Sequence, residues 1–135
     1  MIAFNLKTVA SVVTLVVAGA TVFSCRHKVD VEPCAALPTI VSFHHDILPL
    51  FDTYCNQTTC HSSVDPGGNL DLSDSAAYAE LLHPGSGYVD TLNPTASVLY
   101  IQITSTSQPM PPTGKLDDCK IQLVLKWIQQ HAPNN

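Results

Sequence analysis

Apolar residues gather in short groups along this chain, separated by polar stretches rich in proline and glycine. Residues 1–24, MIAFNLKTVASVVTLVVAGATVFS, carry a positive charge at Lys7 and then a run of Val, Leu, Ala and Thr with no charge before Arg26. Residues 26–41, RHKVDVEPCAALPTIV, mix charges with two prolines, show no helical period, and read as a tether. In SFHHDILPLFDTYC, Phe43, Ile47, Phe51 and Tyr54 recur at helical spacing behind Ser42, a fair N-cap. Pro49 requires that helix to start near Ile47 or to bend there. A loop turning at Pro66-Gly67-Gly68 follows. A short helix is expected through SAAYAELL, capped by Ser73 or Asp74 and ending before Pro84. TASVLYIQI, Thr95 to Ile103, suits strand or helix. Helix is the reading adopted, because Pro94 or Thr95 can start one. Met110 stands in a third loop, framed by three prolines. LDDCKIQLVLKWIQQHA is the clearest helix, with Asp117 as N-cap and Ile121, Val124, Leu125 and Ile128 as one apolar stripe beside Trp127. The expected fold is all-α, three to four short helices joined by long loops.

The layout of residues 1–24 is that of a secretory signal peptide, shorter than the roughly 20 apolar residues that cross a bilayer as a helix. Its last residues, VFSC, resemble the lipobox of bacterial lipoproteins, which implies that Cys25 becomes the first mature residue and carries a lipid. The chain then divides into a signal peptide (1–24), a tether (25–41) and a folded domain (42–135). The expected product is exported and held at a bacterial membrane, facing periplasm or cell surface, by acyl chains.

Without Lys7, five Lys and Arg face eleven Asp and Glu, a formal charge of −6. Such a balance argues against nucleic acid and is compatible with a basic protein partner. A mature chain of about 111 residues gains from a staple, a metal or a cofactor. Long loops in so small a domain point the same way, because a large apolar cofactor gives them a common surface to pack on. No Gly-rich phosphate loop and no nucleophile elbow is present.

The stretch that bears most on function is CNQTTCH, Cys55 to His61. Together with DILPLFDTYC, GGNLDL, NPTASVLY, MPPTGKLDD and the closing VLKWIQQHAPNN, it makes residues 43–135 resemble a single-haem c-type cytochrome domain of exported bacterial proteins. That family commonly shows Cys-x-x-Cys-His, and here the spacing is Cys-x4-Cys-His. The chemistry asks for two thiols that can add to the two vinyl groups of haem. The next residue, His61, then lies under the iron and can ligate through Nε2. By resemblance, the methionine of MPP, Met110, is the distal ligand. A His/Met pair sits at fairly high potential and leaves no open site for substrate, which implies an electron carrier exchanging with redox partner proteins rather than an enzyme. His44, His45 and His83 are weaker candidates for the sixth position. Tyr54, Leu70, Leu72, Tyr100 and Trp127 read as core, with Trp127 a weak candidate donor to a haem propionate.

If Cys25 takes lipid and Cys55 and Cys60 take haem, Cys34 and Cys119 remain, and a bond between them would tie the N-terminal entry to the last helix. The alternative is two plain disulfides, which four cysteines arrange in three ways. Three other functions stay open at this point: a zinc or copper module built on Cys55, Cys60, His61 and His44 or His45; an exported binding module stapled by Cys34–Cys119 and Cys55–Cys60 without cofactor; and a haem enzyme or sensor in which Met110 is off the iron.

Overall fold

The computed structural model describes Cys34 and residues 37–135. The signal-peptide and Cys25 lipidation expectations lie outside the described residues. Among the described residues every regular element is helical. These are α1 (Leu48–Tyr54), α2 (Ala77–Leu81), α3 (Val98–Thr104) and α4 (Asp118–Gln129), with 3₁₀ turns at Gly67–Asn69 and Pro94–Ala96. No helix among them is long and apolar enough to cross a membrane.

The first helix solves its proline locally. Phe43–Ile47 forms a π-helical turn before α1, in which the Ile47 and Leu48 N–H groups reach back to Ser42 and Phe43 carbonyls. Pro49 then occupies the first turn of α1, where its missing N–H removes no helical bond. Ser42 caps the turn as expected, its Oγ accepting from the His45 N–H at 3.2 Å, while the Asp46 carboxylate accepts from the Ser42 N–H at 2.7 Å.

Other boundaries differ from the sequence reading. The second helix begins at Ala77 without a side-chain cap. Ser73 offers its backbone carbonyl to Ala76 and Ala77, and neither Ser73 nor Asp74 caps with its side chain. The expected Thr95–Ile103 helix is broken at Ser97, which is extended and fully buried. Its Oγ accepts from the Asp90 N–H at 2.8 Å, stitching the preceding loop to α3. The last helix stops in a Schellman arrangement: Ala132 N–H bonds to Trp127 O and His131 N–H to Ile128 O, with His131 at φ 66°.

The core sits where the π turn, α2 and α4 meet. Phe43 lies 5.1 Å from Tyr78 edge-on and 5.3 Å from Trp127, and both Phe43 and Trp127 are fully buried. Burial of such a side chain contributes roughly 1.5–3 kcal/mol. Trp127 Nε1–H donates to Pro133 O at 3.1 Å, so its only donor is committed within this core and is not free for a propionate, contrary to the sequence reading. Residues placed in the tether also belong to the fold. Val41 is fully buried and its N–H donates to Gln130 Oε1, while Gln130 Nε2 donates to Thr39 O. Cys34 and Cys119 form a disulfide across 85 positions, anchoring that entry segment to the first turn of α4. The packed unit therefore reaches back past residue 42.

Candidate functional site

α1 ends one residue before Cys55, and the chain folds back there at once. Asn56 N–H and Cys55 N–H both bond to Phe51 O, and the Gln57 side-chain amide donates to Asp52 O at 2.8 Å, capping the last carbonyls of the helix. Cys60 N–H reaches Gln57 O and His61 N–H reaches Cys55 O at 3.1 Å, so the four residues between the cysteines form a closed bulge. Thr59 takes a left-handed backbone (φ 71°) to complete it. The extra length of the Cys-x4-Cys segment is thus absorbed in a turn, and Cys55 and His61 are neighbours in space.

The segment after the turn then clamps His61. Leu72 N–H bonds to His61 O at 2.8 Å, and His61 Nδ1 lies 3.0 Å from Leu70 O. A carbonyl only accepts, so Nδ1 carries the proton and the Nε2 lone pair is left for a metal, the arrangement by which ligating histidines are oriented. Gly67 makes the close approach possible: its N–H bonds to Cys60 O, and a Cβ there would lie 2.9 Å from that oxygen.

Cys55, Cys60 and His61 face a cavity of about 420 Å³, within the roughly 300–1,000 Å³ usual for cofactor and small-molecule sites. Leu70, Leu72 and Leu81 continue its wall, and Leu99, Gln102 and Ile103 of α3 face them. Met110 lines it as well, although 49 positions separate it from His61. The Met110 N–H bonds to Gln102 O at 3.1 Å, which fixes the proline-framed loop to α3. No lining residue carries Asp, Glu, Lys or Arg.

Cys55 and Cys60 are free thiols. Burial first, and then the neighbouring Cys60, push the Cys55 thiol up to about 11, so it is neutral near pH 7. Half-exposed Cys60 is the more accessible of the two.

The cavity therefore unites all four residues singled out for haem: Cys55, Cys60, His61 and Met110. It does not include His44, His45 or His83, which are exposed elsewhere. Among the described residues no three His, Cys, Asp or Glu side chains converge as a metal cage, so the improvised zinc or copper site is not assembled. Of the two bridges in the cofactor-free reading, Cys34–Cys119 is present and Cys55–Cys60 is not. Leu70 and Leu72, read as core, are buried and also form cavity wall. Tyr54, likewise read as core, is 36% exposed at the cavity edge, with Lys120 Nζ 5.3 Å from its ring centre. Sequence reasoning missed Gly67, the Leu70 carbonyl and Gln102. Of these only Gly67 carried a signal, in GGNLDL and in the expected Pro66-Gly67-Gly68 turn. No family model, curated protein or solved structure matches the chain, so the functional reading rests on this geometry and the sequence motif.

Proposed function

We propose that this chain is an exported electron-transfer protein carrying one covalently attached c-type haem. Cys55 and Cys60 would hold the macrocycle through thioethers, and His61 and Met110 would ligate its iron. A lipid on Cys25 keeps the protein at a membrane surface, a part of the reading that rests on the motif VFSC alone. The observation that carries the proposal is the convergence of two thiols, an imidazole with Nε2 free and a distant thioether on one uncharged, leucine-lined cavity.

The donor set suits the group. Two free thiols on one cavity wall are the groups that add to its two vinyls, and an imidazole and a thioether are ligands that haem iron accepts. When bound, haem supplies a one-electron ferric/ferrous couple. The chain's residues do the rest. Leu70 O holds the proton on Nδ1 and so keeps Nε2 directed as a ligand. Leu70, Leu72, Leu81, Leu99 and Ile103 keep water from the site, and a dry, low-dielectric surround favours the less charged redox state. Met110, a soft thioether, favours ferrous iron and raises the potential.

The test is to express the whole chain in a host able to attach haem, then record its visible spectrum and its intact mass after denaturation. A sharp reduced α-band and a mass increased by one haem are expected. A well-folded, exported, colourless protein overturns the proposal. Met110→Ala is expected to keep the haem attached and to lower the reduction potential by on the order of 100 mV, read by spectroelectrochemistry. An unchanged potential removes Met110 from the iron and favours a site open to exogenous ligands.

A further inference from the structure

Besides Cys55, Cys60, His61 and Met110, four polar side chains line the cavity. Tyr54 and Thr59 are exposed at its rim, whereas Tyr88 and Gln102 are half-buried within it. Both of these sit on a firm backbone. The segment carrying Tyr88 runs along the start of α3: Val98 N–H bonds to Gly87 O at 3.0 Å, Leu99 N–H to Tyr88 O at 3.1 Å, and Asp90 N–H to the buried Ser97 hydroxyl. Gln102 stands one turn further along α3, and its carbonyl accepts from the Met110 N–H. Tyr88 and Gln102 thus share the α3 side of the cavity, apart from the 55–61 segment that carries the thiols.

Among the described residues Tyr88 and Gln102 bond through backbone atoms only. Elsewhere the fold satisfies such side chains. The Tyr78 hydroxyl donates to Ala132 O at 3.0 Å, and the Gln130 amide both accepts from the Val41 N–H and donates to Thr39 O. A phenol and an amide beside a leucine-lined wall cost free energy unless the cavity's occupant supplies an acceptor. Apart from its iron, haem is apolar except for two carboxylates, which stand on the edge of the macrocycle away from the two vinyls.

We propose that Tyr88 Oη and Gln102 Nε2 donate to the haem carboxylates and so fix how the macrocycle is turned in its cavity. The inference rests on the haem reading and adds two binding residues to that same site. Both donors are neutral, and a hydrogen bond to an ionised acceptor is the stronger kind. The nearest cations are poor rivals. Lys115 and Lys120 line a neighbouring depression beyond Tyr54 and are paired with Asp118 and Asp117. Tyr54 directly precedes Cys55, which puts that depression on the thiol side.

The experiment titrates haem into the full chain carrying Cys55→Ala/Cys60→Ala, so that retention is read as an affinity. Haem dimethyl ester, whose carboxyls cannot ionise, is the comparison probe. Tyr88→Phe and Gln102→Leu are each expected to weaken haem binding about ten-fold and ester binding less than three-fold. Gln102→Glu, of equal size, is expected to weaken haem binding more than Gln102→Leu, because it sets a third carboxylate against the first two. Lys120→Met is expected to leave both affinities within about two-fold, as an exposed and already paired cation should. Equal losses with the two porphyrins would mean that Tyr88 and Gln102 only fill space. A carboxylate-dependent loss in Lys120→Met alone would put the contact on the thiol side. Either result overturns the proposal and leaves the haem reading intact. Should the thiol-free chain misfold, the covalently loaded chain carries the test: the propionate bending band in its resonance Raman spectrum should shift in Tyr88→Phe and Gln102→Leu and stay in place in Lys120→Met. An unmoved band in the first two overturns the proposal. A well-folded chain that takes haem in neither form overturns both readings, and the visible spectrum tells the two failures apart.

Discussion

Replacing Cys55 and Cys60 together by alanine is expected to abolish covalent haem retention while leaving the fold in place. The wild-type chain should keep its chromophore through denaturation and reverse-phase separation, and the double variant should keep none. Each single variant should retain a reduced amount through the remaining thioether. The argument is one of bond types. His61 and Met110 can hold iron only by coordination, which is lost when the polypeptide unfolds, whereas a carbon–sulfur bond persists. The effect on stability is smaller. Cys55 is 9% exposed, so Cys55→Ala removes one buried sulfur at a cost of about 1–2 kcal/mol, and half-exposed Cys60 costs less. Urea unfolding of the haem-free proteins separates the two contributions. Undiminished retention in the double variant would remove these thiols from the site. Retention lost through misfolding would show instead as a lost unfolding transition.

How much of this was legible in the chain depends on what sets each feature. The helices around Phe51 and Val124 follow from apolar spacing and from caps next to them, Ser42 and Asp117, which local sequence supplies. All-α architecture follows for the same reason. The π turn ahead of Pro49 could be read only as a choice between a late start and a bend, because register there depends on which carbonyls the following N–H groups can reach. Ser73 and Asp74 look like caps, but Asp71 Oδ1 takes the Ser73 N–H first and the chain turns before the helix begins. Val41 and Thr39 sit in a proline-broken, patternless stretch. They join the fold because a side chain 89 positions away, Gln130, bonds to Val41, and no local rule announces such a contact. In the site, Cys55, Cys60 and His61 are adjacent in sequence and declare themselves. Met110 was singled out by resemblance, and its place on the cavity depends on the bond from its N–H to Gln102 O. The Leu70 carbonyl that orients His61 is backbone and has no sequence signature at all.

Removing the Cys34–Cys119 disulfide is the second large effect expected. Cross-linking across 85 positions confines most of the described chain in one loop, and chain-entropy reasoning gives about 4 kcal/mol of stabilisation. For a compact unit of this size that is a large share of a typical total of 5–15 kcal/mol. Cys34→Ser/Cys119→Ser should therefore lower the urea midpoint by more than a third in haem-free protein, measured under conditions where Cys55 and Cys60 are kept reduced. The bond also acts at a particular place. Cys119 stands between Asp117, which caps α4, and Lys120, whose ammonium lies over the Tyr54 ring at the cavity edge. Freed from Cys34, the first turn of α4 keeps only its Asp117 cap, the Lys115–Asp118 pair and the buried Leu116 and Ile121 beside it, while the far end of the entry segment stays tied by Val41 and Gln130. The loss should consequently be greater in haem-free protein than in loaded protein, where ligation by His61 and Met110 and the two thioethers cross-link the cavity walls independently. A loss below about 1 kcal/mol in the haem-free chain would mean that the Val41 and Gln130 contacts already order the entry segment without the bond.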